Sequence, residues 1–396
     1  MKSGWTTRTL GEVCQFRGGG TPSKAVERYW RGDIPWVSPK DMKFDVVSDS
    51  IDHISQEAID GSATSLIPKD SVLIVVRSGI LARTVPIAIT GRALTINQDL
   101  KALCPNGAVD ARFLYHLLGS KLDVLLSMVT RGATVHRLMT EQVRSLDFIL
   151  PPLPEQQRIV GILDEAFEGI ATAKTNAERN LQNTCALFES HLQSVFTHRG
   201  EGWVEKPLNE IGTTQTGSTP KTSERDNYGD FIPFVKPADF DADGSLDYEN
   251  DGLTEKGLSK ARKVAAGSAL MVCIGATIGK CGYSDRDITT NQQINALTPF
   301  KGVSNKFVYY QMLTESFQRR VMLSSGQATL PIINKSKWNA LTLALPPTLE
   351  EQKRIVAKFD SLCEETQRLA SVYERKLAAL EELKKSLLHQ AFTGQL

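Results

Sequence analysis

The chain lacks long apolar runs, paired cysteines and any strong net charge, and each absence removes a class of function. No stretch of 18 apolar residues is available to span a bilayer, and the opening "MKSGWTTRTL" has no apolar centre of the kind a secretory signal needs. A cytoplasmic protein with no membrane attachment is therefore expected. The six cysteines, Cys14, Cys104, Cys185, Cys273, Cys281 and Cys363, contain no CxxC pair, which argues against a disulfide framework and a zinc site and leaves reduced thiols. The six histidines, His53, His116, His136, His191, His198 and His389, show no metal-ligand spacing. The formal charge of +1 is distributed as +3 over residues 1–150, −2 over 151–199 and zero over both 200–346 and 347–396. A nucleic-acid binder acting alone usually carries a strongly basic face, so this balance counts against one.

Catalytic motifs are missing as well. There is no Asn/Asp-Pro-Pro-Tyr/Phe motif of an amino-methyltransferase, because the two Pro-Pro pairs follow Leu150 and Leu345. The segment "IGATIGKC" approaches a phosphate loop, but Ile274 stands where glycine is required and Cys281 where a hydroxyl is required. "FRGGG" at 16–20 lacks the strand and helix setting of a dinucleotide fingerprint. Neither a metal nor a cofactor is expected on this chain.

What the sequence does contain is itself, twice. Gly4-Trp5 recurs as Gly202-Trp203, Thr21-Pro22 as Thr219-Pro220, and "IPWVSPKD" from Ile34 as "IPFVKPAD" from Ile232, all at an offset of 198. The register then drifts, as loops of unequal length require: "NQDLKAL" from Asn97 matches "NQQINAL" from Asn291, and Ala133-Thr134 matches Ala328-Thr329. "LPPLPEQQRIV" from Leu150 returns as "LPPTLEEQKRIV" from Leu345. The order never inverts, so one module of about 195 residues is used two times.

Each module ends in a predicted helix. Pro-Pro cannot continue a strand ladder and suits a first helical turn, and Thr348 with Glu351 has capping-box spacing. Apolar residues then step by three and four, through Val160, Leu163, Phe167, Ile170, Ala177, Leu181, Phe188 and Val195 in the first tail. The second runs through Val356, Phe359, Cys363, Ala370, Tyr373, Leu377, Leu380, Leu387 and Ala391. That spacing is a coiled-coil seam, with Lys174, Thr184, His191, Thr366 and Lys384 as polar interruptions. Ahead of the tails, "SVLIVVRSG" and "SALMVCIGA" read as short buried strands, and "ARFLYHLLGSKLDVLLSMV" and "NKFVYYQMLTESFQRRVML" as helices at matching places.

The expected fold is thus α+β: two tandem mixed α/β domains, 1–150 and 201–346, joined by two long helices, 151–200 and 347–396. Antiparallel pairing of the helices would place the globular parts at opposite ends and give the chain an internal pseudo-two-fold axis. Helices of this length reach roughly 65 Å, enough to hold two domains apart by more than one turn of duplex DNA. The helix entrances are better matched between copies than the globular parts. Two copies of one partner on the helices, and two different things read by the domains, would explain that contrast.

Taken together, the duplicated entrances "LPPLPEQQRIV" and "LPPTLEEQKRIV", the openings "GWTTRTLGEV" and "GWVEKPLNEI" with their "GGGTPSK" and "TGSTPK" loops, "NKFVYY" and the ending "LLHQAFTGQL" resemble type I restriction-modification specificity (S) subunits over essentially the whole chain. The resemblance implies a non-enzymatic DNA-binding subunit in which each globular part is a target recognition domain for one half of a bipartite double-stranded DNA target. The helices would set the gap and dock two methyltransferase (modification) subunits, through which restriction subunits join in defence against phage. S-adenosylmethionine, ATP and Mg would then sit only on those partners. The helix-entrance residues Glu155, Gln156, Arg158, Glu351, Gln352 and Arg354 are the expected partner contacts. Two other readings stay open: the targeting subunit of a related split-site system whose partner fuses methyltransferase and nuclease, and a non-enzymatic coiled-coil scaffold.

Three loop pairs are the DNA-contact candidates. In the first, Thr21, Ser23 and Lys24 correspond to Thr219 and Lys221, hydroxyls and cations beside glycines that let backbone approach a phosphate. In the second, Arg77, Ser78 and Arg83 correspond to Thr277 and Lys280, with Arg77 suited to guanine O6 and N7. In the third, Arg131, Thr134, His136 and Arg137 correspond to Gln327, Thr329, Asn334 and Lys335, with Gln327 suited to adenine. Each loop also has a plain structural reading, as a turn, as solvated charge after a strand, or as a linker.

Overall fold

The apolar runs inside "SVLIVV" and "SALMVC" form strands Val72–Val75 and Ser268–Val272, all of whose residues are buried and both of which lie inside a sheet. Val, Ile and Leu on both faces suit a strand covered from both sides. The computed structural model describes residues 4–241, 244–326 and 331–396. It divides into one unit running to Ala177 together with Arg375–Leu396, and a second comprising Glu178–Glu374.

In the first unit a five-stranded sheet has the order Cys14–Gly18, Leu100–Pro105, Val72–Val75, Ile87–Thr90, Val46–Val47, antiparallel except for its last pair. A three-stranded sheet of Asp52–Ile54, Ile34–Val37 and Thr95–Ile96 adjoins it in sequence. In the second unit the corresponding sheet runs Gly212–Thr216, Ile294–Pro299, Ser268–Val272, Cys281–Ser284, and a second sheet runs Gly252–Leu253, Tyr228–Val235, Ile288–Thr290, Lys263–Val264. Each unit is closed by the same antiparallel pair, Thr6–Thr9 with Asp147–Leu150 and Val204–Pro207 with Thr342–Leu345. The prolines end that ladder, since they have no N–H to donate.

The two helices expected after the sheets are each broken. The first divides into Ala111–Ser120 and Leu122–Ser127 at Lys121, whose ψ of 11° leaves the helical region. The second divides into Asn305–Met312 and Glu315–Ser325, because the Thr314 side chain accepts a bond from the Phe317 N–H and starts a new helix. The long helices are Leu153–Thr197 and Leu349–Thr393. Their seam is largely the one expected, with Leu163, Ala177, Phe359 and Ala391 nearly inaccessible. Thr184 and Thr366 are tolerated on it because each hydroxyl donates to a carbonyl one turn back, Asn180 O and Leu362 O. His191 departs from expectation: it is exposed while Leu192 is buried, as the helix turns its inner face towards the domain core that Leu192 and Phe196 enter. The capping box is half formed. Thr348 Oγ1 accepts from the Glu351 N–H, but the Glu351 carboxylate turns away to accept from the Trp203 indole at 3.2 Å.

Within the first unit the two helices run antiparallel, with Arg158 bonded to the Leu396 carbonyl at 2.9 Å and Lys174 paired with Glu381 at 2.6 Å. In the second, Phe188 and Phe196 both pack on Phe359, which is fully buried. A carboxylate on each helix fastens it to its domain. Asp164 accepts from Arg112 and, at 2.8 Å, from His116; Asp360 accepts from Lys306 at 3.0 Å and from the Tyr310 hydroxyl at 2.6 Å.

The first of these fastenings responds to pH. Burial lowers the His116 pKa below its ordinary 6.5, and the bond to Asp164 only partly opposes this. As pH falls from 6.5 through the lower folded value, the unfolded chain takes up a proton that the folded one refuses. Stability contributed here is therefore intact above pH 6.5 and lost below it, at no more than about 1.4 kcal/mol per pH unit. Urea unfolding at several pH values should show that slope reduced in His116→Gln; an unchanged slope would place its origin elsewhere.

Candidate nucleic-acid interface

The loop pairs chosen from sequence converge on one turn in each unit. In the first, Gly20 N–H donates to Ile96 O at 3.1 Å, and Gly19 passes so close that an added Cβ would lie 2.0 Å from that oxygen. Only glycine fits there, and Gly217 has the same constraint, 2.2 Å from Asn291 O. The turn beneath is an Asx turn in both copies: Asn97 Oδ1 accepts from Asp99 N–H at 3.0 Å, and Asn291 Oδ1 from Gln293 N–H at 3.1 Å.

The strand exit and the third loop meet the same turn. Arg77 N–H donates to Asp99 O, and its guanidinium lies 3.8 Å from the Asp99 carboxylate. Arg77–Ser78 pairs antiparallel with His136–Arg137, Arg77 opposite Arg137 and Ser78 opposite His136. Thr130 and Arg137 exchange both backbone bonds, which sets exposed Arg131 beside this ribbon, and Thr134 lies against Gly79. In the second unit Cys273 N–H donates to Gln293 O at 2.7 Å, Ile274 bridges Ile332, and Ile333 N–H returns to Cys273 O at 3.0 Å. The bonds shared by the two units are Val76 N–H to Asp99 O with Cys273 N–H to Gln293 O, and Leu138 N–H to Val76 O with Ile333 N–H to Cys273 O, while the side chains on this framework differ.

The candidate side chains fare differently. Thr21, Ser23, Lys24, Arg77, Arg83, Arg131, Thr134, Arg137, Thr219, Lys221, Thr277 and Lys335 are exposed. Lys221 lies 4.0 Å from Glu224, a separation at which a solvated pair is worth little. Ser78 Oγ accepts from Ile80 N–H and caps the short turn Gly79–Ala82. His136 is half-buried and accepts from Gly132 N–H at its Nδ1. Lys280 corrects the expectation of a solvent-facing cation, because its ammonium turns inward to the Phe240 carbonyl. Asn334 Oδ1 is engaged as the cap of Lys335–Asn339, accepting from Lys337 N–H at 2.9 Å. Gln327 and Thr329 lie outside the described residues.

Two residues on these turns were missed by loop-by-loop reading. Gln98 and Gln292 are exposed, and each amide oxygen accepts a bond from a candidate threonine, Thr21 at 2.5 Å and Thr219 at 2.6 Å. The signal was present in the repeated Asn-Gln at 97–98 and 291–292.

The helix entrances need a correction. Gln156 is fully buried: its oxygen accepts from Asp110 N–H and its nitrogen donates to Ala108 O and Pro151 O. Gln352 likewise is buried and accepts from Ser304 N–H at 2.8 Å. Both amides satisfy backbone groups at the start of a domain helix and offer nothing to a partner. Glu155 and Arg158 pair at 2.8 Å, and Arg354 is exposed.

No group of three or more His, Cys, Asp or Glu that could hold a metal occurs among the described residues. The thiols of Cys14, Cys273 and Cys281 are pushed up to about 12 by burial, far from a nucleophile's range. No described helix is long and apolar enough to cross a membrane.

Comparison with known proteins matches the type I restriction modification DNA specificity domain to residues 2–180 and again to 200–374. The chain is 42% identical over 160 residues to the Escherichia coli type I restriction enzyme EcoR124I/EcoR124II specificity subunit, an alignment that spans 40% of each chain. It is 23% identical over 423 residues to the MjaIX specificity subunit of Methanocaldococcus jannaschii, covering 99% of this chain and 93% of that one. A chain from a solved type I R-M system structure superposes with a TM-score of 0.80 at 21% identity, covering 100% of this chain and 99% of the other, a likeness of fold.

Proposed function

Because the chain belongs to the family of type I restriction-modification DNA specificity subunits, carrying that family's domain twice, we propose that its two units read the two halves of one split duplex target. The observation that carries this reading is the repeated scaffold: in each unit three loops gather on one Asx turn, and the exposed side chains they present differ between the units. A shared backbone framework carrying different side chains is the arrangement expected of two readers with separate sequence preferences.

In the first unit Arg77, Arg131 and Arg137 offer guanidinium donors to guanine edges or phosphate; in the second Thr277 and Lys335 stand on the corresponding loops, with smaller or more flexible donors. Lys24 and Lys221 neutralise phosphates beside the glycine turns. The long helices set the gap between half-sites, and their entrances, through Glu155, Arg158, Glu351 and Arg354, dock two methyltransferase subunits. Restriction subunits join through those. The chain itself is the non-catalytic member and works in the cytoplasm. Near-neutral charge fits this role, since partner subunits share the phosphate contacts.

Reconstitution tests it. Modification subunits are expected to methylate a defined sequence only when this chain is present. Methylation of the same sequence without it would overturn the proposal.

A further inference from the structure

We propose that Gln98 and Gln292 read an adenine at matching positions of the two half-sites, each amide being aimed by a threonine. The inference rests on the functional reading above and names a contact that reading leaves open.

Four observations lead to it. Gln98 and Gln292 sit on the turn where all three loops meet, so they are central in each candidate surface. Both are exposed, yet both are held: Thr21 and Thr219 donate their hydroxyls to the amide oxygens at 2.5 and 2.6 Å. That bond engages one of the two lone pairs on the amide oxygen. It leaves one lone pair on Oε1 and an NH2 group with no partner among the described residues. One acceptor beside one donor on a planar group is the complement of adenine N6 and N7 in the major groove.

A counterion-releasing contribution to affinity is excluded, because the amide is neutral. The neighbours sharpen the point. Beside Gln98 stand Arg77 and Asp99; at the equivalent places beside Gln292 stand Ile274 and Gln293. Residues that vary around a shared scaffold suit bases that differ between half-sites, and the pair that does not vary suits a base the halves share. Thr21 and Thr219 are positioning residues: they spare each long, flexible side chain the ordering that binding would otherwise demand.

The test uses the complete complex and reads methylated adenines across a genome. The wild-type motif is expected to contain an adenine at one matching position in both halves. Gln98→Ala should relax that position in the first half alone by roughly 10- to 100-fold, and Gln292→Ala its counterpart in the second. Gln98→Glu keeps the shape but loses the NH2, and should move the preference towards cytosine, whose N4 donates. Thr21→Val should relax the same position as Gln98→Ala, less severely. A split wild-type motif left unchanged by Gln98→Ala and Gln98→Glu would overturn this inference alone. So would an equal loss of methylation at every sequence, which marks a general binding or structural role, or a motif with no matching adenine. A wild-type complex with no split motif would overturn the functional reading and this inference with it.

Discussion

Exchange of residues 1–150 for the same domain of a relative with another target is expected to replace the first half of the recognised sequence and leave the second half and the gap untouched. Methylation of the original split site should fall by at least ~1,000-fold, the usual margin between specific and non-specific binding. The boundary is dictated by backbone pairing. Thr6–Thr9 pairs with Asp147–Leu150, so a cut after Leu150 transfers a complete ladder. The incoming domain must still accept the helix, since Ile159, Leu163, Leu388 and Ala391 belong to the first unit's core. It must also leave its Asp110 and Ala108 counterparts open to Gln156. A readout by genome-wide methylation mapping in which both half-sites change together would show that the readers are not modular.

Shortening both long helices should change the gap without changing either half-site. Removing residues 174–180 and 372–378 takes one seven-residue step from each helix and lets the apolar spacing continue in phase. Seven residues are about 10 Å of helix, or roughly three base pairs of duplex. A library of targets with graded gaps should then be methylated best at a gap about three base pairs shorter, and the original site should lose on the order of 1,000-fold because one set of contacts is forfeited. Removing a step from one helix only should unfold or aggregate the chain, since every apolar residue beyond the cut leaves its partner. An unchanged optimum in the doubly shortened protein would mean the helices are not the ruler.

Much of the fold could be read from the sequence because repeats and periodicity report burial directly. Pro151 and Pro346 mark where ladders stop, and the three-and-four stepping from Val160 and Val356 marks the buried face of each long helix. What could not be read was the destination of individual polar groups. Gln156 and Gln352 look like matched surface residues, and only the position of a neighbouring helix start shows that they serve backbone amides inside. Lys280 follows a strand as a surface cation would, and a carbonyl from a distant loop draws it in. His191 obeys the seven-residue rule, but the domain core takes Leu192 in its place. The same limit hid the best-placed candidate readers: Gln98 and Gln292 gain their meaning from Thr21 and Thr219, more than seventy residues away in sequence.

The central claim is that one polypeptide carries two independent sequence readers at a set separation. The most direct measurement is single-molecule sequencing of methylated adenines in DNA from cells that express this chain with its modification subunit. The account predicts a single motif of two short specified halves separated by an unspecified gap of constant length. A continuous motif, or two motifs methylated independently of each other's presence and distance, would contradict it.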